Sequence, residues 1–435
     1  MADIRAFRGV RYNLARVGAL SDVVAPPYDV IGPELQDQLY ARHPANVVRV
    51  ELNKERPTDD DRENRYTRAA RNVHDWRADG TLVEDPQPSI YVLHQRFEAE
   101  GRLYTRRGFL ARLKLEPFGE GRVFPHEETM PGPKADRLRL FHATGMNVSP
   151  VFGLYPDSEN EVQELLEAAT RGRTPLDAVD HLGVVSHVWP ISDLEVVTRA
   201  RALMGPKPIF IADGHHRYET SVRYRDERRA AGSVRDDESI ANFVLMACVG
   251  MSDPGLVILP THRLASGLAE LDAAKLRDAL SSEFDVEDIG VGASACRAAW
   301  GLIEADGSQN VLGFGTVADG RWMLARLRGT ATMDRLVPHH SPAWRGLAVS
   351  ILHELAIGRL LAGTLRSDKP QFRYVHLIGE VLESVAARAC DLACLVPPAT
   401  MDHVQQIASS GERMPAKSTY FYPKLLTGLV FNPIA

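Results

Sequence analysis

The chain has 435 residues, length for two to three domains at roughly 150 residues each, and its 44% apolar and 25% charged content excludes disordered, collagen-like and coiled-coil classes. Against 57 Asp and Glu stand 51 Lys and Arg, a net charge of -6, so no global field draws the chain to nucleic acid or an anionic membrane. Any anion it binds must be met locally.

In chain order, Pro26-Pro27 precedes Tyr28-Asp29-Val30-Ile31, and His43-Pro44 precedes a strand-like run from Asn46 to Leu52. A charged helix is predicted from about Asp59 to Asp79, stopped by Gly80. Ser89 to Phe97 and Leu103 to Lys114 read as a strand pair around Glu100-Gly101, because aromatic and β-branched residues dominate them. Pro117 to Pro133 is a long Gly- and Pro-containing loop, and loops of that length are often functional. Val184 to Trp189 reads as a strand, Ile191 to Met204 as a helix opening at Ser192-Asp193, and Pro208 to Ala212 as a short apolar strand. Asp213-Gly214-His215-His216-Arg217 then turns into a helix from Tyr218 to Arg229. Asn242 to Val249 is a buried element. Helices near Ala273 to Leu280 and Ser294 to Glu304, a strand pair near Asn310 to Leu327 and a helix from Ala348 complete the pattern, which ends on Arg413 to Lys424. The class is α+β, a mixed chain in about three parts: 1–180, 181–270 and 271–435.

Four cysteines, Cys248, Cys296, Cys390 and Cys394, make no disulfide framework and no C-x-x-C pair, which predicts a reducing compartment. The basic start lacks the apolar run of a signal peptide. The longest apolar stretch, Leu347 to Leu365, is broken by His353, Glu354 and Arg359, against a membrane span. A cytoplasmic protein with no membrane partner is expected.

Three constellations can carry chemistry. In the first, Gly214 permits a positive φ at a strand exit, and the next helix aims free N–H groups at the turn. Arg217 can grip a phosphate, His215 and His216 can move protons or donate hydrogen bonds, and Asp213 can hold magnesium or orient a histidine. The competing reading is an Asp cap, a turn glycine and solvent-facing histidines. In the second, Lys417-Ser418-Thr419 copies the end of a phosphate loop without its glycines, so a Walker-type site fails. Tyr420, Tyr422 and Lys424 follow. A lysine and two hydroxyls can still meet phosphate, and the alternative is an amphipathic strand with its lysines in water. The third is His126-Glu127-Glu128 with Lys134 and Asp136-Arg137 behind it, where the carboxylates, Glu127 among them, can act as a general base or as metal ligands and Lys134 can meet an anion, or all can be solvated loop. Gly290-Val291-Gly292 matches a loose dinucleotide fingerprint, but Ser294 is explained as a helix cap. Cys390 and Cys394, four apart on a predicted helix, lack partners for a zinc site.

The segments PPYDVI (26–31), HPAN (43–46), ADGHHRYET (212–220), LPTHR (259–263) and Arg413 to Lys424 together resemble the bacterial and archaeal family called domain of unknown function 1015, over nearly the whole chain. Through its D-G-H-H-R turn that family is similar to the ParB/sulfiredoxin-like fold, which includes free-serine kinases making O-phosphoserine. The resemblance implies that residues 181–270 hold a ParB/sulfiredoxin-like unit whose Asp213, Gly214, His215, His216 and Arg217 bind the phosphates of a donor. About 180 residues precede that unit here, whereas the smaller kinases are little more than the fold. The activity implied is a magnesium-dependent phosphotransferase acting on free L-serine, with ATP, ADP or pyrophosphate as donor. In it Asp213 holds the metal or orients a histidine, His215 and His216 contact phosphate or move the proton, and Lys417 and Ser418 help Arg217 to clamp. The rival expectations are a ParB-like nucleotide-binding regulatory module and a phosphodiesterase or nuclease using the same turn. No nucleic-acid partner is expected, and the sequence leaves oligomeric state and donor open.

Overall fold

A computed structural model describes residues 2–99, 101–127, 131–268, 271–364 and 370–435. The chain divides into two compact units: residues 1–125, 129–257 and 423–435 make the first, and residues 126–128 and 258–422 the second. The tail belongs to the first unit because its backbone is stitched there. Thr427 pairs with Ala25 and Phe431 with Val10, and the amides of Gly428 and Ile434 donate to the carbonyls of Val148 and Gly145 at 3.1 and 2.8 Å.

The first unit is built on nine strands: β1 (Ile4–Arg5), β2 (Ile90–Ala99), β3 (Arg102–Lys114), β4 (Val123–Pro125), β5 (Val151–Tyr155), β6 (Leu176–Val179), β7 (Val185–Ile191), β8 (Ile209–Asp213) and β9 (Phe243–Gly250). Their order is β4-β8-β5-β9-β3-β2-β7-β6, with β1 also on β3. Strands β2 and β3 form the antiparallel hairpin that their composition predicts. Apolar β9 pairs parallel with β5 and antiparallel with β3, and all its residues are buried, as a strand covered on both faces requires. The expected strand–helix–strand–turn–helix order is present, and both strands lie in this sheet without being neighbours. Helix α1 (Leu194–Met204), capped by the Asp193 side chain, carries the chain from β7 to β8 past four intervening strands. Helix α2 (His215–Ala230) starts at His215, three residues earlier than expected. Tyr218 of α2 and Ala200 and Met204 of α1 join Val92, Phe109, Ile209, Ile211 and Met246 in the core.

The second unit carries an antiparallel sheet of β10 (His262–Ser266), β11 (Phe284–Val291), β12 (Val311–Thr316), β13 (Arg321–Leu327), β14 (Gln371–Val375) and β15 (Leu392–Leu395), in the order β11-β13-β12-β15-β10-β14. Helix α3 (Gly292–Asp306) packs Cys296, Ala299, Trp300 and Ile303 against it. The α+β class holds for both units.

Several local expectations are corrected. Asn46 to Leu52 is not a strand: the Asn46 side chain donates to the carbonyls of Asp22 and Val24 and accepts from the Val48 amide, which turns Val48–Glu51 into a short helix despite its β-branched residues. The loop from Pro117 contains β4, parallel to β8, and a helix, Pro131–Thr144. Ser294 is not the cap of α3, which begins at Gly292 behind Val291. Cys394 lies on β15 and buried Cys390 outside any helix, so the helical four-residue spacing does not arise. Among the described residues no helix is long and apolar enough to cross a membrane.

Candidate functional site: a cationic turn at the end of a strand

Strand β8 ends in a register shift against β5 between Ile211 and Asp213, which leaves Asp213 opposite Phe152; such bulges re-aim a side chain at the end of a ladder. Gly214 follows in the left-handed region at φ 85° and caps α2. A side chain there is doubly disfavoured, since a Cβ would also sit 2.9 Å from Nε of Arg217. The guanidinium of Arg217 folds back over that gap, donating to Asp213 Oδ2 at 2.7 Å and to the carbonyl of Pro150. From the tail, Lys424 Nζ donates to Asp213 Oδ1 at 2.8 Å.

One carboxylate thus holds two cations. Burial alone raises the Asp213 carboxyl, but the charges of Lys424 and Arg217, with His215 adding to them, hold it well below the usual carboxylate range. His215 is buried and His216 half-buried on the first turn of α2. Arg106 is 1% exposed, lies 4.8 Å over the Phe152 ring, and donates to Gln95 Oε1 at 2.6 Å and to the Pro423 carbonyl at 2.5 Å. Burial pulls it down to about 9, so it stays charged at neutral pH and fixes the backbone just before Lys424.

A second ring of buried polar groups adjoins Arg217. Tyr28 of the PPYDVI segment has the Arg137 guanidinium 4.1 Å over its ring, and burial, with Asp29 adding, pushes its phenol up to about 12 against the pull of Arg137 and Arg217. Arg137 bridges Glu51 at 3.4 Å and Asp136 at 2.5 Å. Ser149, the residue before Pro150, donates to Glu51 Oε1 at 3.2 Å. Glu51 is 1% exposed.

Lys134 pairs with Glu219 of α2 at 2.9 Å, so this predicted anion contact serves an interhelical ion pair. Glu127 and the Lys417–Thr419 segment fall in the second unit and meet there. Glu127 Oε1 accepts from the Lys417 amide at 2.8 Å, and His126 Nε2 shares a 2.8 Å hydrogen bond with Thr419 Oγ1. The Ser418 hydroxyl donates to the Pro415 carbonyl. Lys417 has φ 59°, rare outside glycine, and its carbonyl accepts from buried Arg263 at 2.8 Å; its side chain is exposed. Glu128 lies outside the described residues.

Of the three sequence constellations, the structure completes the first with a lysine that sequence reasoning named but ranked below Lys417. Lys424 stands seven residues after Lys417, on the stretch that rejoins the first unit. Glu51 was missed as well, although an acid inside the apolar run Val47 to Leu52 was the available signal. The Asp213 carboxylate does not fit magnesium as it stands, because both oxygens are engaged by cations. Among the described residues no group of three or more His, Cys, Asp or Glu side chains is placed to hold a metal.

The family model described as "Protein of unknown function (DUF1015)" matches residues 4–350. No curated protein matches the chain. Among solved structures, a mutant of free serine kinase in complex with ADP is 12% identical, over 69% of this chain and 84% of its own, with TM-score 0.33. SbnI with a C-terminal truncation, from Staphylococcus aureus, is 10% identical over 75% and 87%, with TM-score 0.35. A conserved hypothetical protein from Pyrococcus furiosus is 11% identical over 70% and 89%, with TM-score 0.33.

Proposed function

We propose that this chain, which belongs to the DUF1015 family, is a small-molecule phosphotransferase that uses the turn at the end of β8 as a phosphate cradle and the hydroxyl of free L-serine as acceptor. The observation that carries the reading is the single Asp213 carboxylate holding Lys424 and Arg217 at the start of a sixteen-residue helix. In a chain of net charge -6 this is a local concentration of positive charge, and phosphoryl transfer depends on positioning and charge neutralisation. Asp213 organises the cradle, Gly214 lets a phosphate approach the backbone, and Lys424 supplies the mobile charge. Arg217, committed to Asp213 and Pro150, is a positioning residue. His215 and His216 contact phosphate or take the serine proton. Lys417, Ser418 and Glu127 belong to the second unit, where the Lys417 amide donates to Glu127 and the Ser418 hydroxyl to the Pro415 carbonyl. The protein is proposed to work in the cytoplasm, with ATP, ADP or pyrophosphate as donor and magnesium entering with the donor.

The rival reading, a regulatory module that binds nucleotide without turnover, draws on the same commitment of Arg217, whose engaged arms are poorly placed to follow a shifting charge. Phosphorus NMR with serine, magnesium and each donor in turn separates them. O-phosphoserine from at least one donor is expected, falling by about 10²–10³ in rate in Lys424→Ala. Donor binding without phosphoserine from any donor overturns the kinase.

A further inference from the structure

Away from the Asp213 turn, the segment around Val48–Glu51 borders a cavity of about 330 Å³ in the first unit. Its lining is unusually cationic: Arg49, Lys54, Arg56, Arg68 and Arg71 face it, against one acid, Glu55. That acid is turned to Arg65 at 3.0 Å. Three of the cations have partners, Lys54 with Asp37, Arg68 with Asp59 at 2.6 Å and Arg71 with Glu63 at 2.8 Å. Among the described residues Arg49 and Arg56 have no carboxylate within ion-pair distance.

Arg49 is held in place without being satisfied. Its guanidinium lies 4.3 Å over the Tyr40 ring, and Nη2 donates to the Tyr40 carbonyl at 2.9 Å. Its Nε is buried and makes no hydrogen bond, an arrangement that costs free energy. Asn53 and Asn72 fix the Arg49 carbonyl at 2.6 and 3.1 Å, so the backbone beneath it is set. Positions 49 and 51 point to different sides of their helical turn. Arg49 faces the cavity, while Glu51 joins Arg137 and Ser149 beside the turn already described.

We propose that this cavity is a second anion site, made of different residues from the Asp213 cradle, and that it takes a phosphate-bearing small molecule of up to mononucleotide size. Two guanidiniums with planar forks and no carboxylate in ion-pair contact suit phosphate oxygens, and the volume is at the lower end of small-molecule sites, roughly 300–1,000 Å³. An uncharged ligand would leave Arg49 and Arg56 without a carboxylate or phosphate partner.

The test is calorimetry on the full chain in a Lys424→Ala background, which weakens the first site, using inorganic phosphate, AMP and adenosine as probes. AMP and phosphate are expected to bind and adenosine not to. Adding Arg56→Ala and Arg71→Ala, both solvent-exposed residues of the lining, should weaken AMP about tenfold or more with an unchanged thermal midpoint. Failure of phosphate and AMP to bind at millimolar concentration, adenosine binding as tightly as AMP, or AMP affinity unaffected by the two arginine changes would each overturn the proposal. None of these outcomes bears on serine phosphorylation, which is read separately in the protein with Lys424 intact.

Discussion

In the first unit two clusters set opposite charges together, Asp213 with Lys424 and Arg217, and Glu51 with Arg137, while buried Arg106 is held by Gln95 and the Pro423 carbonyl. In the second unit His262 and Arg263 lie side by side at 0% and 1% exposure, and among the described residues neither has a carboxylate within ion-pair distance. Arg263 instead donates to the carbonyls of Thr261 and Lys417, and burial pulls it down to about 10. His262 accepts from the Val396 amide at 3.3 Å, packs its ring edge-on to Trp300 at 4.8 Å, and is held neutral. Mutually neutralised charges can face a ligand and lend it their field. Charge absorbed by backbone carbonyls, or suppressed on an imidazole, serves packing. In the second unit Arg263 braces the Lys417 loop through its carbonyl, whereas the first-unit clusters hold charge against charge.

The sharpest way to break this contrast is at Asp213. Asp213→Asn strands Lys424 and Arg217 without their counter-charge, and losing one partner of a mostly buried ion pair costs about 2–4 kcal/mol. Chemical denaturation should show that loss, and restoring charge balance with Lys424→Met in the same chain should recover part of it. If Asp213→Asn is neutral, the pairing does not hold the turn. Gly214→Ala comes next at about 1–3 kcal/mol, because its left-handed φ and the closeness of Arg217 both oppose a Cβ; a wild-type midpoint would show that the turn relaxes freely.

Acid provides a test that should divide the units. Burial, with Arg263 and His376 adding, pulls the His262 imidazole down to about 3, against about 6.5 when unfolded. The unfolded chain therefore binds the extra proton, and stability falls as pH drops from 6.5 toward 3, by at most about 1.4 kcal/mol per pH unit. Asp213 behaves differently: its carboxyl is depressed, so its contribution is complete above the unfolded carboxylate range, about 4, and is lost only below. Hydrogen exchange at pH 7 and 4.5, corrected for intrinsic rates, should show β12 loosening before β5, and His262→Leu should flatten that dependence. Equal loosening in both units would remove the distinction. The smallest effect is expected at Lys134→Met, which loses a partly exposed pair with Glu219 worth about 0.2–1 kcal/mol; a larger loss, measured by urea titration, would mean that the pair organises α2 and the cradle with it.

The sequence by itself determined the α+β class, the β2–β3 hairpin, the capped helix after Ser192 and the glycine turn that leads from Asp213 into α2, because these depend on residue type, period and turn chemistry within a few positions. A glycine between an aspartate and a histidine-rich helix start is legible wherever the strand ends up. Only tertiary structure decided that β7 and β8 stand four strands apart, that Val48–Glu51 is a helix held by Asn46, and that Lys424 rather than its neighbours completes the turn. Each depends on contacts across a hundred residues or more, or on a side chain satisfying remote carbonyls, and local propensity carries no record of those. The C-terminal segment shows why: within it, the Lys417 backbone amide donates to Glu127 in the second unit and the Lys424 side chain to Asp213 in the first, a division made where the chain passes from one unit to the other.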